Sequence, residues 1–412
     1  MSKPSKSAHG LDPRQGGRRL VFSTIRARDR VARIDIAEET KISPATVTSI
    51  TAELIAEGLI EETPRDPEEA ALKRGRPRVD LKVRGSSHLV AGLKFSNNKV
   101  TVAILDFVGE PIGDYEKRLP SSSFGTDAFV DFTNDVLDEA TRSCGLSPSD
   151  LSGVGIGLAG IVDAPNGFVH WSPQLKDRNV ALRDALAQKI TQPLFIDNDA
   201  NLVAMAEQWF GLGRNVRDFI VVTIEHGVGM GIVIDGQIYR GTRGCGAEFG
   251  HTKVQLDGAL CRCGQRGCLE AYLADYALLR EANIAWQSSD DETSEEKLLA
   301  LFRDAKAGNE TARLIFNKAG RMFAMGLANL VNVFDPELII LSGERMQFEY
   351  LYEDEVIEQM RQSVVQVDMA PPEVRIHTWG DLMWARGAAA YAMEGVTEIA
   401  LQRIDSDVAK LG

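Results

Sequence analysis

Cysteine is scarce in this 412-residue chain: there are five, and three of them crowd into CRCGQRGC at 261–268. An odd, clustered set excludes a disulfide framework and points instead to a metal site. Long apolar runs are missing as well. Nothing approaches the roughly 18 consecutive apolar residues of a membrane span, so none is expected. The opening stretch MSKPSKSAHGLDPRQGG lacks the apolar core of a secretory signal, and a cytoplasmic location is the expectation. Hydrophobic content of 44% and charged content of 25% are those of a soluble globular protein. The length leaves room for two or three domains.

Positive charge is in short supply overall, with 46 Lys+Arg against 59 Asp+Glu and a net charge of −13. Taken whole, that balance speaks against nucleic acid. Residues 1–84 depart from it, with 17 basic against 13 acidic side chains, leaving 29 against 46 for the remainder. A mildly basic head on an acidic body fits a DNA-reading module attached to a domain that repels DNA.

The head reads as three helices. The first is expected from about Arg14 to Arg28, with Leu20, Val21 and Ile25 on one face, and the second from Arg33 to Thr40, with Ile36 and Ala37 inward. After the short turn KIS, Ser43 is a good N-cap and Pro44 a good first helical residue. Val47, Ile50, Leu54 and Ile55 then recur at helical spacing. Two short helices joined by a tight turn form a helix-turn-helix, whose second helix enters the major groove of double-stranded DNA. Its outward residues, Ala45, Thr46, Thr48, Ser49 and Thr51, with Ser43 at the cap, are short and polar enough to reach base edges or phosphates. Gly58 ends the helix and LIEET begins a strand, as a winged variant would. A small bundle for protein contacts is the alternative. Further on, Arg74-Gly75-Arg76-Pro77 can lie extended in a narrow minor groove, with Pro77 keeping Arg76 extended; a plain basic linker is the other reading.

Beyond residue 88 the pattern is α/β. HLVAGLKFSNNKVTVAILD and DFIVVTIEHGVGMGIVIDG each read as strand, turn, strand, which predicts a duplicated core of two lobes with a cleft between them. QPLFIDNDANLVAMAEQWF reads as strand, loop, helix. A long helix from about Asp381 is expected to return to the first lobe, and WQSSDDETSEEK at 286–297 to be an acidic surface loop.

GVGMGIVIDGQIYRGTRGCGAEFGHTKV, followed by CRCGQRGCLEAY, resembles the ROK family of repressors, open reading frames and kinases. The resemblance covers about residues 88–405, and with the helix-turn-helix it points to the repressor branch. It implies a winged helix-turn-helix followed by a two-lobed actin-like ATPase fold. Residues 1–84 would be the DNA-binding domain with its basic linker and 85–205 a first lobe joined by helix 381–405. Residues 206–380 would be a second lobe carrying the metal loop. His251, Cys261, Cys263 and Cys268 make a closed set of one imidazole and three thiolates, a structural zinc pattern with one ion per chain. Cys144 and Cys245 lack partners at ligand spacing and read as small packing residues. Carboxylates and amides suit polyols, since each binds two hydroxyls. By resemblance Asn198, Asp199, Glu248, His251, Glu270 and Gln174 form the sugar site, and Asp199 matches the base that deprotonates the attacking hydroxyl in the family's kinases. Gln174 stands where many members have Asn in Ser-Pro-Asn.

The phosphate turns depart from the kinase pattern. Lys94, Ser96 and Asn97 replace an aspartate and glycines in the first, and Glu225-His226-Gly227-Val228-Gly229 replaces a Gly-Thr-Gly-Val-Gly in the second. Side chains there block the backbone N–H groups that cradle phosphate, and a carboxylate repels it. The sequence therefore implies a sugar- or sugar-phosphate-responsive repressor, a homodimer or homotetramer on a two-fold operator, without kinase activity. The alternatives are an active ROK sugar kinase with an accessory DNA-binding head, and control by a protein partner. Lys94 and Glu225 are expected to face each other across the cleft as an ion pair, or else both to point to solvent.

Overall fold

The protein is described here by a computed structural model covering residues 13–64, 79–96, 98–244, 246–285, 293–347, 354–365, 368, 370–378, 380 and 382–411. Arg74, Gly75, Arg76, Pro77, Asn97 and Cys245, and the first part of the expected acidic loop (286–292), lie outside the described residues.

The head contains α1 (Pro13–Arg28), β1 (Val31–Ala32), α2 (Arg33–Thr40), α3 (Pro44–Ala56), β2 (Ile60–Pro64) and β3 (Val79–Val83), with the three strands in the order β1-β3-β2. Its core is the stripe the sequence indicates: Val21, Phe22 and Ile25 from α1, Ile36 from α2, and Val47, Ile50 and Leu54 from α3. Two expectations fail by one position. Leu20 is 47% exposed because it lies a residue off the stripe Arg18–Val21–Phe22–Ile25. Thr51 is buried because it sits one turn after Val47, and its hydroxyl accepts from Arg33 Nε at 3.0 Å. The buried Arg18 guanidinium donates twice to Glu53, at 2.6 and 3.1 Å, and so ties α1 to α3. Gly58, with φ +71°, ends the α3 turn in a conformation few side chains tolerate.

The body holds two five-stranded sheets of identical order. In the first, β4 (Leu89–Phe95), β5 (Lys99–Asp106) and β6 (Pro111–Arg118) form an antiparallel meander. Beside β4, β7 (Leu151–Leu158) and then β10 (Leu194–Asn198) add in parallel. A hairpin of β8 (Ile161–Asp163) and β9 (Phe168–Trp171) precedes β10. In the second, β11 (Phe219–Ile224), β12 (Val228–Ile234) and β13 (Gln237–Ile238) form the meander, and β14 (Leu338–Ser342) and β15 (Glu373–Ile376) add in parallel. The repeat in the sequence is thus a repeat of topology.

Helices α4 (Thr126–Ser143) and α5 (Leu182–Leu186) accompany the first sheet, and α6 (Asp199–Phe210) follows β10 directly. On the second lie α7 (Glu270–Leu273), α8 (Asp275–Ala285), α9 (Ser294–Lys306), α10 (Glu310–Phe334) and α11 (Asp354–Ser363). The start of α9 corrects the acidic-loop expectation: Thr293 and Glu296 close a reciprocal capping box, so Ser294–Lys297 is helical. Among the described residues no helix is long and apolar enough to cross a membrane.

The last helix, α12 (Leu382–Leu411), crosses back to the first sheet. Its buried face is small, with Ala385, Ala388, Ala389 and Ala392. The sheet answers with glycine. A Cβ on Gly155 would stand 1.8 Å from Ala388 O, and one on Gly92 would stand 2.0 Å from Ala385 O. Backbone meets backbone there, and no side chain can swing aside. Gly155→Ala is therefore expected to destabilise the protein by about 1–3 kcal/mol, read as a fall in midpoint of thermal unfolding by circular dichroism.

Candidate functional site

On the head, Ser43 Oγ accepts from Thr46 N at 3.2 Å and caps α3. Ser43, Ala45, Thr46, Thr48 and Ser49 are all exposed at the start of that helix. The Thr48 hydroxyl donates to Pro44 O at 2.8 Å, so its methyl group is what it offers outward.

In the second lobe, His251, Cys261, Cys263 and Cys268 converge until their ligand atoms all lie within 4.8 Å of one another. Cys261 Sγ is 3.7 Å from His251 Nδ1, and Cys263 Sγ is 3.7 Å from Cys268 Sγ. A tetrahedral ion with thiolate bonds of about 2.3 Å requires edges of about 3.6–3.8 Å, so the set fits a four-coordinate metal. The sequence produces this loop by letting the chain turn at Gly267, where φ is +77° and a Cβ would meet Gln255 O at 1.7 Å. Lys253 Nζ donates to Cys268 Sγ at 2.8 Å, and Tyr276 OH lies 3.5 Å from Cys261 Sγ. Were a divalent ion held by three thiolates there, the set would carry one negative charge, which Lys253 would offset.

That loop carries the cleft residues. With Nδ1 turned to the cysteine cluster, His251 presents Nε2 to Glu248, at 4.0 Å. Glu270 opens α7 and receives Tyr276 OH at 3.3 Å and, more weakly, Val228 N at 3.4 Å from the β11–β12 turn. Burial raises the pKa of Glu248 despite the neighbouring His251, and the negative charges of Glu270 and Asp199 act in the same direction as burial. From the first lobe, Asn198 caps α6: Oδ1 accepts from Ala200 N at 2.9 Å, while Nδ2 donates to Gly160 O at 2.7 Å. Gln174 is buried, and its Oε1 accepts from Ser172 Oγ at 2.7 Å.

Lys94 does not pair with Glu225. Its ammonium lies 2.6 Å from Asp199 Oδ2, with the lysine side chain 6% exposed, and it also faces the Trp384 ring at 5.6 Å. The reason is geometric: Lys94 points from β4 toward the start of α6, on its own lobe, and is satisfied before the cleft is crossed. The second turn makes other partners. Glu225 N donates to Gly227 O, tightening the turn, and His226 Nδ1 lies 2.8 Å from Asp275 Oδ2. Arg345 grips the same carboxylate at 2.7 Å through both Nε and Nη2. The hydrogen bond to Asp275 raises the His226 pKa. Burial alone would raise that of Asp275, but the His226 and Arg345 contacts outweigh it and hold it low.

Sequence reasoning missed Asp197, Arg240, Lys253 and Tyr276. Asp197 is fully buried; its Oδ1 accepts from Asn198 N at 2.7 Å and Asn201 Nδ2 at 2.9 Å, and its Oδ2 from Arg240 Nε at 2.7 Å. Its acidic place in FIDNDAN was a visible signal. Arg240, more than forty residues on, carried none.

Three likenesses bear on this arrangement. The xylose repressor of Caldicellulosiruptor bescii is 30% identical over 356 residues, covering 83% of this chain and 86% of the repressor. A crystal structure of a ROK family transcriptional regulator, described as a homologue of the E. coli MLC protein, superposes with TM-score 0.80 at 25% identity. That match covers 95% of this chain and 98% of the regulator. The ROK hexokinase of Thermus thermophilus superposes with TM-score 0.64 at 28% identity and covers 99% of itself but 75% of this chain. The fold is therefore the two-lobed one of ROK repressors and sugar kinases, with an additional quarter of chain beyond the kinase. The model of the ROK family matches residues 91–394, and the chain belongs to the ROK family.

Proposed function

We propose that this protein is a sugar-responsive, DNA-binding transcriptional repressor. The observation that carries this reading is α3, a capped helix with its short polar face exposed, on a head that shares a core with a sugar-kinase-like body. Ser43, Ala45, Thr46, Thr48 and Ser49 face the major groove, and Arg74 and Arg76 the minor groove. Two heads on a homodimer, or pairs of them on a homotetramer, read a two-fold operator. Asn198, Asp199, Glu248, His251, Glu270 and Gln174 hold a sugar or sugar phosphate. The effector works by preferring one arrangement of lobes over another.

The Lys94–Asp199 pair supports a body that binds sugar without phosphorylating it. A base must be free to take a proton, and this carboxylate already accepts from a buried ammonium. The kinase alternative predicts ADP release with glucose, xylose, N-acetylglucosamine or another sugar. Turnover in the range of about 1–1000 per second would overturn the regulator reading.

Duplexes selected from a random library by the full chain supply the main test. Ser49→Glu places a like charge against the phosphates at an exposed position. It is expected to weaken binding to the selected duplex at least about tenfold at moderate salt, with an unchanged unfolding midpoint. Equal affinity for both proteins would refute the α3 assignment.

The metal is read as one structural zinc per chain, bound through His251 Nδ1 and three thiolates, leaving no position for a catalytic water. Elemental analysis of the purified protein is expected to give close to one zinc per chain. Cys263→Ser is expected to lower zinc content, thermal stability and sugar-induced stabilisation together, since the loop that carries Glu270 and His251 loses its anchor.

A further inference from the structure

We infer that Arg26 is the positioning residue through which the effector cleft controls the DNA-facing head: its guanidinium is held in a cage of rings, one of which, Trp209, rides on the helix that begins at Asp199. The inference rests on the reading above, in which the head binds DNA and the cleft binds the effector.

Arg26 leaves the last turn of α1 and enters the body. Its guanidinium carbon lies 4.7 Å from the centroid of Phe22 on α1, 4.7 Å from Phe107 after β5, and 4.8 Å from Trp209 on α6. Nη1 donates to Thr397 Oγ1 on α12 at 3.1 Å, while Nε and Nη2 are shielded from solvent and have no hydrogen-bond partner. Burial pushes its pKa down to about 9. A buried cation that forgoes hydrogen bonds at two nitrogens depends on its rings, and that dependence is sharp in distance. The cage is therefore sensitive to small displacements of any wall.

One wall reports on the cleft. Asp199 is the first residue of α6 and Trp209 the eleventh, about 15 Å farther along at 1.5 Å per residue. Between them α6 is clamped on two sides by backbone. A Cβ on Gly231 would meet Ala200 O at 2.5 Å, and one on Gly387 would meet Leu202 O at 2.0 Å. Both clamps grip the first turn of α6, at Ala200 and Leu202, and on this inference the unbroken helix beyond them carries a shift of that turn onward as a rod. What shifts Asp199 shifts Trp209.

A second connection runs along one stripe of α12 at three-residue spacing. Arg240, which holds Asp197 beneath the cleft, lies over Tyr391 at 4.9 Å. Glu394 accepts from Trp209 Nε1 at 3.2 Å, and Thr397 accepts from Arg26. Cleft, rod and stripe thus meet at one guanidinium on the head. Among the described residues, Arg19 to Glu398 and Arg214 to Asp29 also tie the head to this surface, and both are exposed pairs that contribute little.

Hydrogen exchange of the α1 amides, followed by mass spectrometry on the full chain, tests this without sugar or DNA. Asp199→Asn alters the cleft end of the rod by removing the partner of Lys94. In the otherwise native chain it is expected to change α1 exchange at least about fivefold, the lower end of ordinary coupling between sites. In an Arg26→Gln background the same change is expected to leave α1 exchange as it was. Arg26→Lys, which keeps charge and stem but loses the planar stack, gives a second cycle should the glutamine variant fail to fold. An Asp199→Asn effect absent from the native chain, or equal in both backgrounds, overturns the inference. A purely structural Arg26 would give that equal effect. Loss of the repressor reading would leave the outcome of this cycle untouched.

Discussion

Everything in this molecule leans on the close approach of α12 to the first sheet. Gly92 and Gly155 bring that helix down until main chain touches main chain. The helix then has two further faces to offer. One meets α6, where Gly387 admits Leu202, and the other joins the head core through Ala389, Met393, Val396, Leu401 and Ile404. A single C-terminal element therefore fixes the first lobe, the helix under the cleft and the three-helix head in one frame. Dispersion contacts at such distances are individually small and collectively large, and they fix orientation in a way that flexible side chains would not.

The two lobes solve one folding problem twice and then diverge in chemistry. Both sheets run in the order third, second, first, fourth, fifth. Equivalent turns therefore fall at the mouth of the cleft, one after β4 and one after β11. In the first, Lys94 is held by Asp199; in the second, His226 and Arg345 share Asp275. At these two turns each lobe neutralises its own charges, while Asp197 and Arg240 pair across the lobes beneath them. Beside the cleft, the loop of His251 and three cysteines, with Lys253 and Tyr276, holds Glu270 and His251 in place.

Much of this was legible in the sequence, and the reasons differ by level. Local signals carried the head: Ser43-Pro44 marks a helix start, and the 3–4 spacing of Val47, Ile50 and Leu54 marks its buried side. The same spacing, applied one step further, would have placed Thr51 inside. The metal set was legible because its ligands lie within eighteen residues and thiols cluster for few other reasons. The strand–turn–strand repeat foretold two sheets of one topology. Long-range polar partners were not legible. That Lys94 was destined for the cleft could be read from its place in the first turn; that it would choose Asp199 over Glu225 could not, because the choice depends on which side of β4 faces α6. Arg26 and Arg240 were hidden for the same reason. Each is one arginine among many until the fold brings rings and a carboxylate to it.

The Lys94–Asp199 pair also bears on the history the chain can have. Removing Lys94 takes from Asp199 its only ion-pair partner among the described residues. Removing Asp199 alone strands a nearly buried ammonium. Breaking one side of a buried pair costs about 3–5 kcal/mol, a large part of the 5–15 kcal/mol that keeps a domain folded. The cost is unequal, because Lys94 is nearly buried while Asp199 is 21% exposed, so the two positions are constrained to change together, with loss of the carboxylate the harder first step.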